Sequence, residues 1–383
     1  MPTARRLLDP VALDHEFAPA ITLVAGASVA LAYSKLFATS YFRTVYTNST
    51  WSPLRELGVS SLHDLTVNLL MVVFFFALGL EVAHEFAPAP LARVRSALPA
   101  VCGAAGGMLA TALGSLAAGE ILHSAALVRG WGVPMATDVA FTLALLAVAG
   151  RRLPSHVRVF LLTLAICDDV LSVIVLSLSG HAHLRWWGLV LTVVTVSAVV
   201  IVRGRVSGVV AIVAVVALWL AFSAANLEPA LAGLIGGAVL GAAPWRTSAH
   251  AIANRVSVGL VLPLYAFVAC GLQWSHVGFR GAVGAVVIAT IAVRLVGKSL
   301  GITAGVQFAY ATGMSPSARM APSLLATLGL TCAIGFTVPL FFAARIFGAN
   351  TVLYDAFALG LLLSSLVAAV AGGLLIHSRR GIE

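Results

Sequence analysis

Apolar runs of about 20 residues recur every 30 or so from Phe17 to Ile376, and a run of that length is what a helix needs to cross the hydrocarbon of a bilayer. The backbone of such a run has no water to bond to, so it must satisfy its own polar groups. With 60% of its 383 residues hydrophobic and only 10% charged, the chain reads as an all-α polytopic membrane protein. Its expected spans number about twelve, near 17–38, 64–82, 97–121, 131–149, 156–178, 186–202, 207–225, 229–243, 256–274, 281–310, 323–343 and 354–376. They leave no room for a soluble domain, and residues 1–383 are read as one transmembrane domain.

The 23 basic residues outnumber the 14 acidic ones. In a soluble chain that excess would suggest nucleic acid, but here the arginines collect between apolar runs and no nucleic-acid partner is expected. Fourteen fall on the side of the N-terminus, seven on the other, and Arg294 and Lys298 inside the tenth span. That asymmetry places both termini in the cytoplasm. The charged stretch before Phe17 and the full span after it argue against a cleaved signal peptide. Cys102, Cys167, Cys270 and Cys332 all fall in spans without CxxC spacing, so they read as packing residues.

Within FLLTLAICDDVLSVIVLSL, Asp168 and Asp169 are the only charges between Arg158 and Arg185. A carboxylate at the bilayer centre costs about 2.5–3.5 kcal/mol, so two together imply a use. Neighbours on a helix point about 100° apart, so one can meet a cavity while the other meets a neighbouring helix. Burial and mutual repulsion favour proton uptake by such a pair, and a hard alkali cation prefers the same oxygens. Competition combined with alternating exposure is exchange. The competing reading is a pair of helices locked by salt bridges.

Two spans look interrupted. WGVPMATDVAF places Pro134, Thr137 and Asp138 in the fourth, and TLGLTCAIGFTVPLFF places Gly335, Thr337 and Pro339 in the eleventh. Proline and glycine both weaken a helix. The fourth span is the middle of three (97–178) and the eleventh the middle of another three (281–376), and the two sets start on opposite sides. This is the pattern of an inverted-topology repeat with a midplane site. Where two half-helix N-termini meet, a carboxylate such as Asp138 offsets their charge; where the C-termini meet, an ammonium such as Lys298 does so. Lys298 could instead pair with Asp168 and be released when a cation binds, or snorkel to the interface. Glu81, His84 and Glu85 close the second span, as pH-sensing candidates or as an ordinary solvated helix end. Glu120, Glu228 and Asp355 read as interfacial residues or caps.

The stretches FFFALGLEVAHE, VPMATDVAFTLALLAVAGRRLP, VRVFLLTLAICDDV, VLPLYAFVACG, GKSLGI and AIGFT occur in the order found in the NhaA-type sodium/proton antiporters, and the chain resembles that family from the second span to the eleventh. The resemblance implies twelve spans with the fourth and eleventh broken and crossing, in a bacterial inner membrane. It implies export of sodium or lithium in exchange for a larger number of protons, controlling intracellular pH and sodium without a cofactor. It makes Asp168 and Asp169 the cation and proton carriers, Asp138 and Thr137 the polar groups at the crossing, and Lys298 the charge partner. It also places residues 42–60, containing TVYTNSTW, where relatives can form a hairpin in a homodimer; a plain external loop is the other reading. The chain departs from the family at Val67-Asn68, His84, His250, Val268-Ala269-Cys270 and Pro339, which bears on the pH set-point and the cation preference.

Two alternatives remain within transport and binding: a sodium-coupled symporter of an organic anion, and a transport-impaired paralogue that still binds ions. An intramembrane aspartyl protease would need two aspartates on separate helices. No GxGD motif accompanies Tyr354-Asp355, so the chain is not read as an enzyme.

Overall fold

The computed structural model describes residues 10–47, 59–85, 91–138, 141–142, 145, 154–179, 185–202, 207–241, 246–314 and 319–378. In chain order the helices are α1 (Pro10–Leu36), α2 (Ala38–Tyr46), α3 (Leu62–Asp64), α4 (Met71–Glu85), α5 (Leu91–Ile121), α6 (Ala125–Arg129), α7 (Ser155–Ser179) and α8 (Trp186–Val202). They continue with α9 (Gly208–Ala225), α10 (Ala230–Leu240), α11 (Arg246–Val256), α12 (Leu262–Cys270), α13 (Gly281–Ala311), α14 (Pro322–Thr331), α15 (Thr337–Phe347) and α16 (Val352–Ser378). Short π-helical stretches, Leu65–Leu70 and Ser257–Val261, lead into α4 and α12. No strand occurs among the described residues.

Local chemistry sets several ends. Ser61 and Asp64 form a reciprocal capping box at α3. Ser207 accepts the N–H of Val210 to start α9, and Asn226, at φ 61°, closes it in the left-handed conformation that asparagine tolerates.

Eight helices among the described residues are long and apolar enough to cross a membrane. Four shorter apolar helices accompany them. α8 and α10 occupy the expected spans 186–202 and 229–243, and α14 with α15 share 323–343. Of 131–149, residues 139–140, 143–144 and 146–149 lie outside the described residues. In the stretch 42–60, Phe42–Tyr46 complete α2, whose Tyr41 and Val45 are buried one turn apart. The rest of the hairpin expectation, 48–58, lies outside the described residues.

The chain divides into two compact units. The first comprises Met1–Ile21, Ala89–Ser172 and Leu272–Glu383, and the second Thr22–Pro88 and Val173–Gly271. In the first, α5 and α13 cross in backbone contact: a Cβ on Gly106 would collide with the carbonyl of Gly301, and one on Gly301 with the carbonyl of Gly106. Lipid tails are as apolar as leucine, so helix association in a bilayer relies on close approach of this kind. A core of Ala104, Leu161, Leu164, Ile302, Leu325 and Leu328 then ties α5, α7, α13 and α14 together. In the second unit, α4 and α10 meet through Gly79 and Gly237 with the same intimacy. The Tyr41 hydroxyl there donates to the carbonyl of Phe267 at 2.6 Å.

Candidate functional site

Five of the buried charged side chains described in the first unit, Asp138, Asp168, Asp169, Arg294 and Lys298, come from three stretches of chain. Asp168 and Asp169 lie on α7, four helical turns from its start, and both are buried. The Lys298 ammonium, from α13, donates to both carboxylate oxygens of Asp168 at 2.7 Å, and neither side chain is exposed. Of the placements open to Lys298, the structure has the pairing with Asp168. Gly107 lets Ile302, one turn after the lysine, close on α5, since a Cβ there would meet Ile302 Cγ1 at 2.8 Å, and Gly329 brings α14 against the backbone of Lys298 and Ser299.

Asp138 follows the non-helical residues 135–137 and is itself non-helical, and its main-chain N–H donates to the carbonyl of Ile334 at 2.9 Å. Its Oδ2 accepts from the N–H and the hydroxyl of Thr337 at 3.2 and 3.1 Å. Its Oδ1 accepts from the N–H of Phe141 at 3.4 Å. One carboxylate therefore serves the first N–H of α15, where unpaired N–H groups and the helix dipole favour negative charge, and the N–H of Phe141. The Thr137 hydroxyl donates to the carbonyl of Cys332 at 2.7 Å, which leaves its oxygen lone pairs as acceptors. Pro339 is the third residue of α15, inside the first turn, where a missing N–H breaks no helical bond.

The side chain whose role sequence reasoning missed is Arg294, one turn before Lys298 on α13. It is fully buried. Its Nε donates to the carbonyl of Ala333 at 2.7 Å, Nη1 to that of Pro134 at 3.1 Å, and Nη2 to that of Ala136. Ala333 follows the C-terminal end of α14, and Pro134 and Ala136 follow the turns after α6. Gly335 leaves the room: a Cβ at that position would fall on the guanidinium. The signal in the sequence was a second cation four residues from the lysine, on the same face.

Other candidates lie elsewhere. Asp355, expected at an interface, is in the first turn of α16 but buried, and His276 Nδ1 contacts its Oδ2 at 2.9 Å. Glu81, His84 and Glu85 finish α4 in the second unit; Glu81 is half-buried, and the side chains of His84 and Glu85 lie outside the described residues. There too, the carbonyl of Asn68 accepts from Trp219 Nε1 at 2.9 Å, and that of Val268 from the Tyr41 hydroxyl at 3.2 Å.

Chemically, the site offers carboxylate oxygens, hydroxyl and carbonyl oxygens, and one ammonium that occupies Asp168. Hard oxygen ligands suit alkali cations. A cation can reach both oxygens of Asp168 only by displacing the lysine.

The profile of the family described as Na+/H+ antiporter 1 matches residues 11–376. The chain is 34% identical over 381 residues to a protein of Cronobacter sakazakii named Na(+)/H(+) antiporter NhaA, covering 94% of each chain. It is 30% identical over 370 residues to Na(+)/H(+) antiporter NhaA 1 of Erythrobacter litoralis, covering 92% of this chain and 88% of that one. Over 343 residues it is 36% identical to Na(+)/H(+) antiporter NhaA 2 of Clavibacter michiganensis, covering 85% and 82%.

Proposed function

This chain belongs to the Na+/H+ antiporter 1 family, and from that premise we propose that it exchanges sodium or lithium for protons across a bacterial inner membrane, with both termini cytoplasmic. The observation that carries the reading is the buried Lys298–Asp168 pair beside Asp169. In water such a pair gains little, but in a desolvated site either partner alone is costly. A cation entering the site takes over the carboxylate and frees the ammonium; its departure restores the contact or leaves the oxygens to protons. Asp168 and Asp169 carry the load by turns, and Thr137 offers a neutral oxygen nearby.

The architecture proposed for this work has twelve spans, with the repeats 97–178 and 281–376 inverted and the fourth and eleventh spans broken where they cross. Its support is the bond from Asp138 N–H to the Ile334 carbonyl, with Thr337 on the same carboxylate. Asp138 and Thr337 hold the crossing, and Lys298 answers Asp168. A larger number of protons than cations moves per cycle, and each net charge crossing 100 mV gains about 2.3 kcal/mol. Glu81, His84 and Glu85 tune the response to pH, the protein works as a homodimer in the bilayer, and it needs no cofactor.

The test is sodium-dependent dequenching of a pH-sensitive dye in everted vesicles. Asp168→Asn and Asp169→Asn should each abolish the signal while the protein remains in the membrane. Full activity in both variants refutes the assignment.

A further inference from the structure

A guanidinium is charged at any physiological pH, and Arg294 is buried completely. Its hydrogen bonds go to three main-chain carbonyls, two on one side of the crossing and one on the other. Ala333 lies two residues past the end of α14, and Pro134 and Ala136 lie in the turn and the non-helical stretch after α6, so these carbonyls have no intrahelical donor and take one from the side chain. A planar fork of N–H donors can serve several carbonyls at once, which a lysine's compact ammonium does less well. Asp138 and Asp168 both lie close enough to this guanidinium to interact with it electrostatically. Arg294 and Lys298 are four residues apart on one helix, so they share a face.

We propose that Arg294 is a positioning residue with a second, electrostatic effect: it clamps the two interruptions together from α13 and places a fixed positive charge one turn from the cation site. The inference rests on the antiport reading. It divides labour between two cations that sequence alone makes look equivalent. Arg294 meets the carbonyl ends permanently, so Lys298 is left to Asp168 and stays displaceable. The fixed charge also opposes the entering cation, which weakens binding and speeds release. An exchanger gains turnover from weak binding, since a tightly held ion leaves slowly.

Two variants separate the clamp from the charge. Arg294→Gln keeps a planar amide with two donors and loses the charge, while Arg294→Lys keeps the charge and loses the fork. Binding of radioactive sodium to purified protein and sodium-dependent exchange in proteoliposomes are measured for both. Arg294→Gln should bind sodium about three- to tenfold more tightly, with apparent KM and maximal rate both lower. Arg294→Lys should keep sodium affinity within about twofold of the original and lose maximal rate and thermal stability.

Unchanged affinity in Arg294→Gln, or tighter binding in Arg294→Lys as well, would overturn the electrostatic effect. Failure of both variants to fold would make Arg294 a folding residue alone and overturn the proposal too. Exchange by the unsubstituted protein tests the antiport reading separately: binding that shifts as stated without exchange would sink that reading and keep this inference, whereas no sodium binding by any of the proteins would sink both.

Discussion

In the first unit, Gly106 on α5 and Gly301 on α13 approach until neither has room for a methyl group; in the second, Gly237 on α10 meets Phe76 and Gly79 on α4 in the same way. The polar groups that the two units bury differ more than their packing does. In the second, Thr66 and Thr192 donate to the carbonyls of Leu62 and Ala221, and Glu228 is its buried charged side chain among the described residues. The first buries Asp138, Asp168, Asp169, Asp355, Arg294 and Lys298. Glycine packing is thus a device common to both, required by the absence of a hydrophobic drive between helices in lipid. Apart from Glu228, the buried charge among the described residues lies in the unit where helix stops after α14 and restarts at α15, and carbonyl and N–H ends left there take charged partners.

The largest expected effect tests what the units share. Gly301→Leu and Gly237→Leu each drive a side chain into a neighbouring backbone, and both should abolish the monodisperse peak in size-exclusion chromatography. A folded Gly237→Leu beside a lost Gly301→Leu would show that only the first unit depends on such contact.

Next comes the charge. Lys298→Met leaves Asp168 buried without its ammonium, a loss of about 3–5 kcal/mol, read as a fall in thermal midpoint in detergent together with loss of exchange. An unshifted midpoint would mean that the pair contributes nothing to holding the unit.

The smallest effect separates charged from neutral acceptors. The Thr337 hydroxyl bonds to a carboxylate and the Thr192 hydroxyl to a carbonyl. Thr337→Val should therefore cost about 1.5–3 kcal/mol and Thr192→Val about 1 kcal/mol, with exchange reduced only in the former. Equal costs would erase the distinction drawn between the units.

Much of this was legible in the chain. Asp138, Asp168 and Lys298 stood out because charge inside an apolar run needs no tertiary information to be noticed. The gap between α14 and α15 around Gly335 was legible because glycine weakens a helix locally. Arg294 was visible but could not be given a partner, since carbonyl ends left over by a turn carry no sequence signature. Asp355 was read as an interfacial cap for the same reason: its first-turn position is local, while the contact with His276, 79 positions away, is not.

Sequence by itself determined that the chain is a helical membrane protein and which few side chains break the apolar rule, because hydropathy and helix propensity are sums over neighbours. Only the tertiary structure decided which cation does what. Arg294 and Lys298 sit on one face of one helix, and nothing in their spacing says that the first meets carbonyls from 134, 136 and 333 while the second meets a carboxylate 130 positions away. What packs against each turn of α13 makes that choice, and packing is set by chain segments far apart in sequence.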